Sequence, residues 1–105
     1  MILDDLRKMP VLQTRTISYA GEDPETHNYI MDCLQRFFKG DYGDICEDDT
    51  EANNADLKSG YGHILAAYPA DYKLQSRFYI EAHFDKDNLN DIDYTQIVIM
   101  YPEER

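Results

Sequence analysis

From Arg77 to Phe84 the chain alternates without interruption: Phe78, Ile80, Ala82 and Phe84 fall on one side, Tyr79, Glu81 and His83 on the other. A period of two sustained over that length predicts an extended strand with one apolar face. A sheet with such a face needs a second layer to cover it. Residues 24–39 can supply that layer, because Ile30, Cys33, Leu34, Phe37 and Phe38 recur at helical spacing while Asp32, Gln35, Arg36 and Lys39 point outward. The helix has its punctuation too. Asp23 is a good N-cap, Pro24 suits the first turn, Glu25 favours the positive helix end, and Gly40 fits the position just past the last turn.

The remaining elements fit around this pair. Residues 1–10 read as a loose or short helical arm ending at Pro10. Val11 to Ala20 is rich in Thr, Ile and Tyr and reads as a strand broken by Gly21. Residues 40–49 carry two glycines and no regular period, so they predict a structured loop; Gly40 and Gly43 would supply positive φ, which other residues resist, and Tyr42, Ile45 and Cys46 would anchor it inward while the acids face out. Asp49 or Thr50 can cap a short second helix through Leu57 or Lys58, ended by Ser59-Gly60. Two further strands run from Tyr61 to Tyr68, stopped by Pro69, and from Tyr94 to Tyr101, stopped by Pro102. Consecutive strands with no helix between them imply antiparallel pairing. The expectation is an α+β fold in a single domain, 1–105. It has the order βααβββ, an antiparallel sheet of three or four strands, one main helix and a short second helix. An apolar fraction of 43% in 105 residues is enough for one core.

Charge narrows the function classes. Twenty-one acids against ten bases give a net charge of −11. Such a surface repels nucleic acid and anionic membranes, which both need cationic contacts, and it attracts basic surfaces. No direct nucleic-acid contact and no membrane contact are expected. The opening Met1-Ile2-Leu3-Asp4-Asp5-Leu6 lacks the basic start and apolar run of a secretion signal, which points to the cytoplasm. Cys33 and Cys46 form no CxxC pair and read as free thiols there.

The acids are concentrated in two stretches. The first holds Asp41, Asp44, Glu47, Asp48, Asp49, Glu51 and Asp56, with no Lys or Arg among residues 41–56. The second holds Glu81, Asp85, Asp87, Asp91 and Asp93, opposed only by Lys86. Like charges this close repel and stay solvated unless a cation or a partner meets them. Neither stretch is a calcium loop of the EF-hand type: counted from Asp85, Asn90 stands where the turn glycine belongs, and counted from Asp41, Gly43 fills the third position. His27, His63, His83 and the two cysteines lack paired ligand spacing for zinc. No phosphate-binding glycine loop, dinucleotide fingerprint or nucleophile elbow is present. No catalytic residue, metal or cofactor is therefore assigned, and the chain is not expected to be an enzyme.

The central segment resembles a family. The residues that carry the likeness are Thr14-Arg15-Thr16-Ile17, where the family usually has Gly at the third place, and Tyr29 through Arg36. The likeness is strongest at Gly40-Asp41-Tyr42-Gly43-Asp44-Ile45-Cys46-Glu47-Asp48, where Tyr42 replaces the usual Trp. Asn53, Leu57, Gly60, Ala67-Tyr68 and the closing segment Thr95 to Glu104 also fit. These features are similar to small acidic proteins carried on plasmids, phages and integrative elements of Gram-positive bacteria. Many of those bear the label of a type I restriction endonuclease modification subunit, although they are far too small to be one. The connection from Phe84 to Tyr94 departs from the family in being longer and more acidic. The family has no settled catalytic residues to carry over. The resemblance implies a mobile-element setting, where small acidic proteins disarm host defence nucleases.

Together these readings give an expectation: an inhibitor, anti-CRISPR or anti-restriction, that binds a basic nucleic-acid-binding protein such as a CRISPR effector or restriction enzyme. The expected partner-binding residues are Asp41, Asp44, Glu47, Asp48, Asp49, Glu51, Glu81, Asp85, Asp87, Asp91 and Asp93. The alternative is an accessory or regulatory module of a mobile element whose acidity serves solubility.

Overall fold

The computed structural model describes all 105 residues. Four strands form one sheet: β1 (Val11–Gln13), β2 (Tyr61–Tyr68), β3 (Phe78–Asp85) and β4 (Gln96–Met100), in the spatial order β1-β4-β3-β2. Three α-helices accompany it: α1 (Arg15–Ala20), α2 (Pro24–Phe38) and α3 (Glu47–Ser59). The fold class is α+β, as the alternation at 77–84 and the helical spacing at 30–38 predict.

The antiparallel hairpins β2–β3 and β3–β4 follow the expectation. β1 corrects it, since it pairs parallel with β4 and makes the sheet mixed. The chain leaves β1 into the helical layer and returns to its neighbour only at the end, so no hairpin dictates an antiparallel sense. The strand expected over Val11 to Ala20 also ends after Gln13. The Thr14 hydroxyl accepts a hydrogen bond from the Ile17 amide and starts α1, which buries Ile17. The β-branched residues of this segment read as strand, but a good N-cap outweighs that weak preference.

α2 begins as predicted, with the Asp23 carboxylate accepting from the Thr26 amide. Those hydrogen bonds, from the Thr26 hydroxyl and amide, hold Asp23 below the usual carboxylate range. α3 begins at Glu47, earlier than the expected Asp49 or Thr50, so Glu47, Asp48 and Asp49 form its first turn. Three carboxylates there complement the positive end of the helix, which has no side-chain cap at Cys46. The N-terminal arm is a 3-10 helix, Leu3–Lys8, and it is docked: Leu6 is fully buried.

The core lies between one face of the sheet and α2. β3 contributes Phe78, Ile80, Ala82 and Phe84, β2 contributes Ile64, Ala66 and Tyr68, and β4 contributes Ile97 and Ile99. They pack with Ile30, Cys33, Leu34, Phe37 and Phe38 of the helix. No helix is long and apolar enough to cross a membrane.

Candidate functional site: the acidic flank along β2

β2 is an edge strand, and an uncovered edge exposes a row of backbone groups to unwanted pairing. Here the row is filled by the two segments that carry the first acidic stretch. The Ala67 amide donates to the Tyr42 carbonyl at 3.1 Å, and the Asp44 amide donates to the Ala67 carbonyl at 2.8 Å. One step along, the Asn53 side chain donates to the Leu65 carbonyl at 2.9 Å and accepts from the Leu65 amide at 3.0 Å. Next, the His63 amide donates to the Asp56 carboxylate at 3.1 Å, and the Tyr61 amide to the Ser59 hydroxyl at 3.1 Å. Thus the amides of Tyr61, His63, Leu65 and Ala67, which face away from β3, are all satisfied. α3 runs beside β2 like a fifth strand.

The loop ahead of α3 depends on glycine. Gly40 and Gly43 have positive φ, +83° and +70°, as the sequence suggests. At Gly43 a Cβ would lie 2.0 Å from the Ala67 carbonyl oxygen, so no other residue allows the loop this close to β2. Tyr42 is buried and Ile45 half-buried, as expected. Cys46 is exposed rather than anchored inward, because it forms the turn into α3.

With the backbone work assigned, the acids separate into two kinds. Asp41 is bonded to Arg36 at 2.7 Å and accepts from the Gly43 amide at 3.1 Å. The Arg36 guanidinium, and then the Gly43 amide, hold its carboxyl below the usual range. Asp56 is spent on β2. Asp44, Glu47, Asp48, Asp49 and Glu51 are exposed and enter no ion pair.

The second stretch folds differently. Glu81 is not a surface acid. It is 2% exposed, between Leu65 and Val98 on the neighbouring strands, and bonded to Arg105 at 2.7 Å and His83 at 2.9 Å. A carboxylate on an inner strand between apolar neighbours must be paired, and Arg105 lies over it. Glu81 therefore leaves the set of candidate contacts. Asp85 accepts from the Asp87 amide and the Asn88 side chain, and Asp91 accepts from the Asp93 amide, so both shape their own loop. Asp87 accepts from the Tyr61 hydroxyl at 2.6 Å, which raises the Tyr61 pKa. Asp87, Asp91 and Asp93 remain exposed.

α3 separates the two stretches by its own length, about 20 Å at 1.5 Å per residue. The unpaired acids of the first, Asp44, Glu47, Asp48, Asp49 and Glu51, lie around its N-terminal end. The second lies past its C-terminal end, where the Lys86 amide donates to the Gly60 carbonyl at 2.8 Å. Asp87 reaches the β2 flank through the Tyr61 hydroxyl, and the two groups do not merge.

Comparison with protein-family models, curated proteins and solved structures finds no match.

The remaining chemistry-bearing groups offer little reactivity. Both thiols are free, and burial pushes the Cys33 thiol up. Tyr29, whose hydroxyl donates to the Pro69 carbonyl at 2.6 Å, is pushed up to about 12, mainly by burial. No three His, Cys, Asp or Glu side chains converge in a way that could hold a metal ion. A cleft of about 280 Å³ between Tyr19, Lys73 and Gln75 includes Asp23, whose carboxylate is committed to capping α2. Sequence reasoning names Asn53 only as part of the resemblance, without its role of joining α3 to β2, and misses Arg105, which covers Glu81.

Proposed function

We propose that the protein is a cytoplasmic, non-enzymatic inhibitor carried by a mobile element. It binds a basic nucleic-acid-binding protein of a host defence system, a CRISPR effector or a restriction enzyme. The observation that supports this reading is the group of five exposed, unpaired carboxylates, Asp44, Glu47, Asp48, Asp49 and Glu51, gathered around one end of α3. The helix dipole accounts for part of the charge at Glu47–Asp49. It does not account for Asp44 or Glu51, which lie outside the first turn. Helical neighbours four residues apart, such as Glu47 and Glu51, are about 5–6 Å apart, a spacing that can meet successive Arg and Lys side chains of a groove that normally holds nucleic acid. The resemblance to mobile-element proteins supplies the setting.

The test is inhibition of target-DNA binding by purified effectors across a salt series, with thermal melts run on every variant. Inhibition should weaken as salt rises, because charges exposed to solvent are screened over about 8 Å at physiological ionic strength. Reversal of Asp44, Asp48 and Glu51 to Lys should weaken inhibition at least about tenfold, or ~1.4 kcal/mol. The same change at exposed, unpaired Asp32 and Glu103 should do much less. Reversal of Asp87, Asp91 and Asp93 tests the far end of the flank. Inhibition that survives both triple reversals in a folded protein removes the acidic-decoy mechanism. If no effector is inhibited, the accessory-module reading takes its place.

A further inference from the structure

The sheet's other edge is β1, and nothing covers it. The Pro10 carbonyl accepts from the Ile97 amide at 2.8 Å, and the Thr14 amide donates to the Ile99 carbonyl at 3.1 Å. Backbone direction alternates along a strand, so Pro10, Leu12 and Thr14 bond toward β4 while Val11 and Gln13 point their amides and carbonyls away from the sheet. These four groups have no intramolecular partner. The side chains of Val11 and Leu12 are 39% and 40% exposed.

We propose that this edge is a self-association site, at which two copies pair their β1 strands antiparallel about a two-fold axis at Leu12. The inference does not rest on the proposed function. In this register Val11 of each copy faces Gln13 of the other and exchanges both backbone hydrogen bonds with it, so all four free groups on each strand are satisfied. Leu12 faces Leu12 of the second copy as a non-hydrogen-bonded pair, in which the Cα atoms approach to about 4.5 Å and the side chains touch. Leu12 stands beside Val98 on the open face of the sheet, so the contact joins two such apolar pairs across the axis.

Two features favour a second copy over any other strand. The first is closure. Pairing through β1 leaves β2 as the outer edge on both sides, and every outward amide of β2 is already satisfied. Association therefore stops at a two-fold dimer with one eight-stranded sheet and does not propagate. The second is charge. Each copy carries −11, but the unpaired carboxylates at residues 44–51 lie beyond β2. Three strand spacings, about 14 Å, already separate β2 from β1, more than the ~8 Å over which salt screens exposed charges. The edge that would meet is the one farthest from the acids of α3. A three-residue strand buries little area, so the dimer is weak and depends on concentration.

Sedimentation over a concentration series should show the mass rising from 12.3 kDa toward twice that value. Leu12→Lys puts like charges across the axis, and Gln13→Pro removes an outward amide that β4 does not use. Each should weaken association at least tenfold while leaving the melting temperature of dilute protein near that of the parent. As a positional test, Leu12→Cys in a Cys46→Ser background should oxidise to a covalent dimer, because Cα atoms ~4.5 Å apart are within disulfide reach. Tyr19→Cys, 75% exposed on α1, is the control that should not. A mass that stays at one chain throughout would overturn the proposal. So would a dimer that persists in both variants, or cross-linking at Leu12 no better than at Tyr19.

Discussion

The two edges of one sheet are built on opposite plans. Along β2, a loop carbonyl, an asparagine amide, an aspartate and a serine meet the four outward amides in turn. Along β1, the outward groups of Val11 and Gln13 meet no protein atom, and the strand is only three residues long. The contrast changes how the acidic segment 41–56 should be understood. Its first task is architectural, since it covers a strand that would otherwise be open. Asp41 and Asp56 belong to that task. The charge available to a partner is what remains after it, at Asp44, Glu47, Asp48, Asp49 and Glu51.

The sharpest way to break the difference is at Gly43. An alanine there carries the cost of a left-handed conformation, about 1–2 kcal/mol. It also places a Cβ 2.0 Å from the Ala67 carbonyl oxygen, a clash that backbone must move to relieve. Together with overpacking of ~1–3 kcal/mol, the expected loss for Gly43→Ala is about 2–5 kcal/mol. For a domain of this size each kcal/mol lowers Tm by about 4–8 °C. Thermal melts should thus show a fall of roughly 10 °C or more. A melting temperature within a degree or two of the parent would mean that the loop does not clamp β2.

Asn53→Ala cuts the same edge one step further along and should cost less. It leaves the Leu65 amide and carbonyl without partners, but at an edge where water can reach them once α3 loosens. The expected loss is about 1–3 kcal/mol. Hydrogen exchange gives the direct comparison. In the parent the Leu65 amide should be protected, while the Gln13 amide on β1 should exchange quickly in dilute protein. In the variant the Leu65 amide should exchange as Gln13 does. Protection at Leu65 that survives the substitution would show that α3 covers β2 by packing alone.

Most of the sheet's inner architecture was legible in the sequence, and most of its edges were not. The alternation from Phe78 to Phe84 fixes which side of β3 is buried, because a strand's period is local. The spacing of Ile30 to Phe38 does the same for α2. Gly40 and Gly43 were legible for a similar reason, since a positive φ is a property of single residues. Thr14 was misread because its two roles, strand residue and helix cap, share one composition, and only the pairing of β1 with a strand over eighty residues later decides between them. Glu81 looked like its neighbours Tyr79 and His83, on the open face. Its burial depends on Arg105, 24 residues away. Asn53 is one of several polar residues in a helix with no marked apolar face, and nothing nearby distinguishes the one that meets Leu65. In each case a partner distant in sequence decides the role, and a period cannot report it.

The smallest effect is expected at the ion pair that latches the β2 cover, and it separates charge from shape. Asp41 bonds Arg36 and also accepts from the Gly43 amide, so it ties α2 to the loop. Both side chains are about half exposed, 45% and 52%, so solvent screening limits the pair to less than ~1 kcal/mol. Asp41→Asn keeps an oxygen for the Gly43 amide but puts an NH2 group where Oδ2 accepts from Arg36, so it removes the charge and that acceptor together. Because the folded protein holds Asp41 below its ordinary pKa, the pair's contribution is present above the ordinary carboxylate value and is lost as pH falls through the lowered one. At pH 7 the variant should therefore melt slightly below the parent. As pH falls below the ordinary carboxylate range and through Asp41's lowered value, the two curves should converge. Asp5, Asp23 and Glu104 are also held low in the fold, but they are common to both proteins and cancel in the difference. A gap that stays constant down to pH 2 would mean that the latch works through its hydrogen-bond geometry and not through charge. The loop that covers Ala67 would then owe nothing to the charge of Asp41.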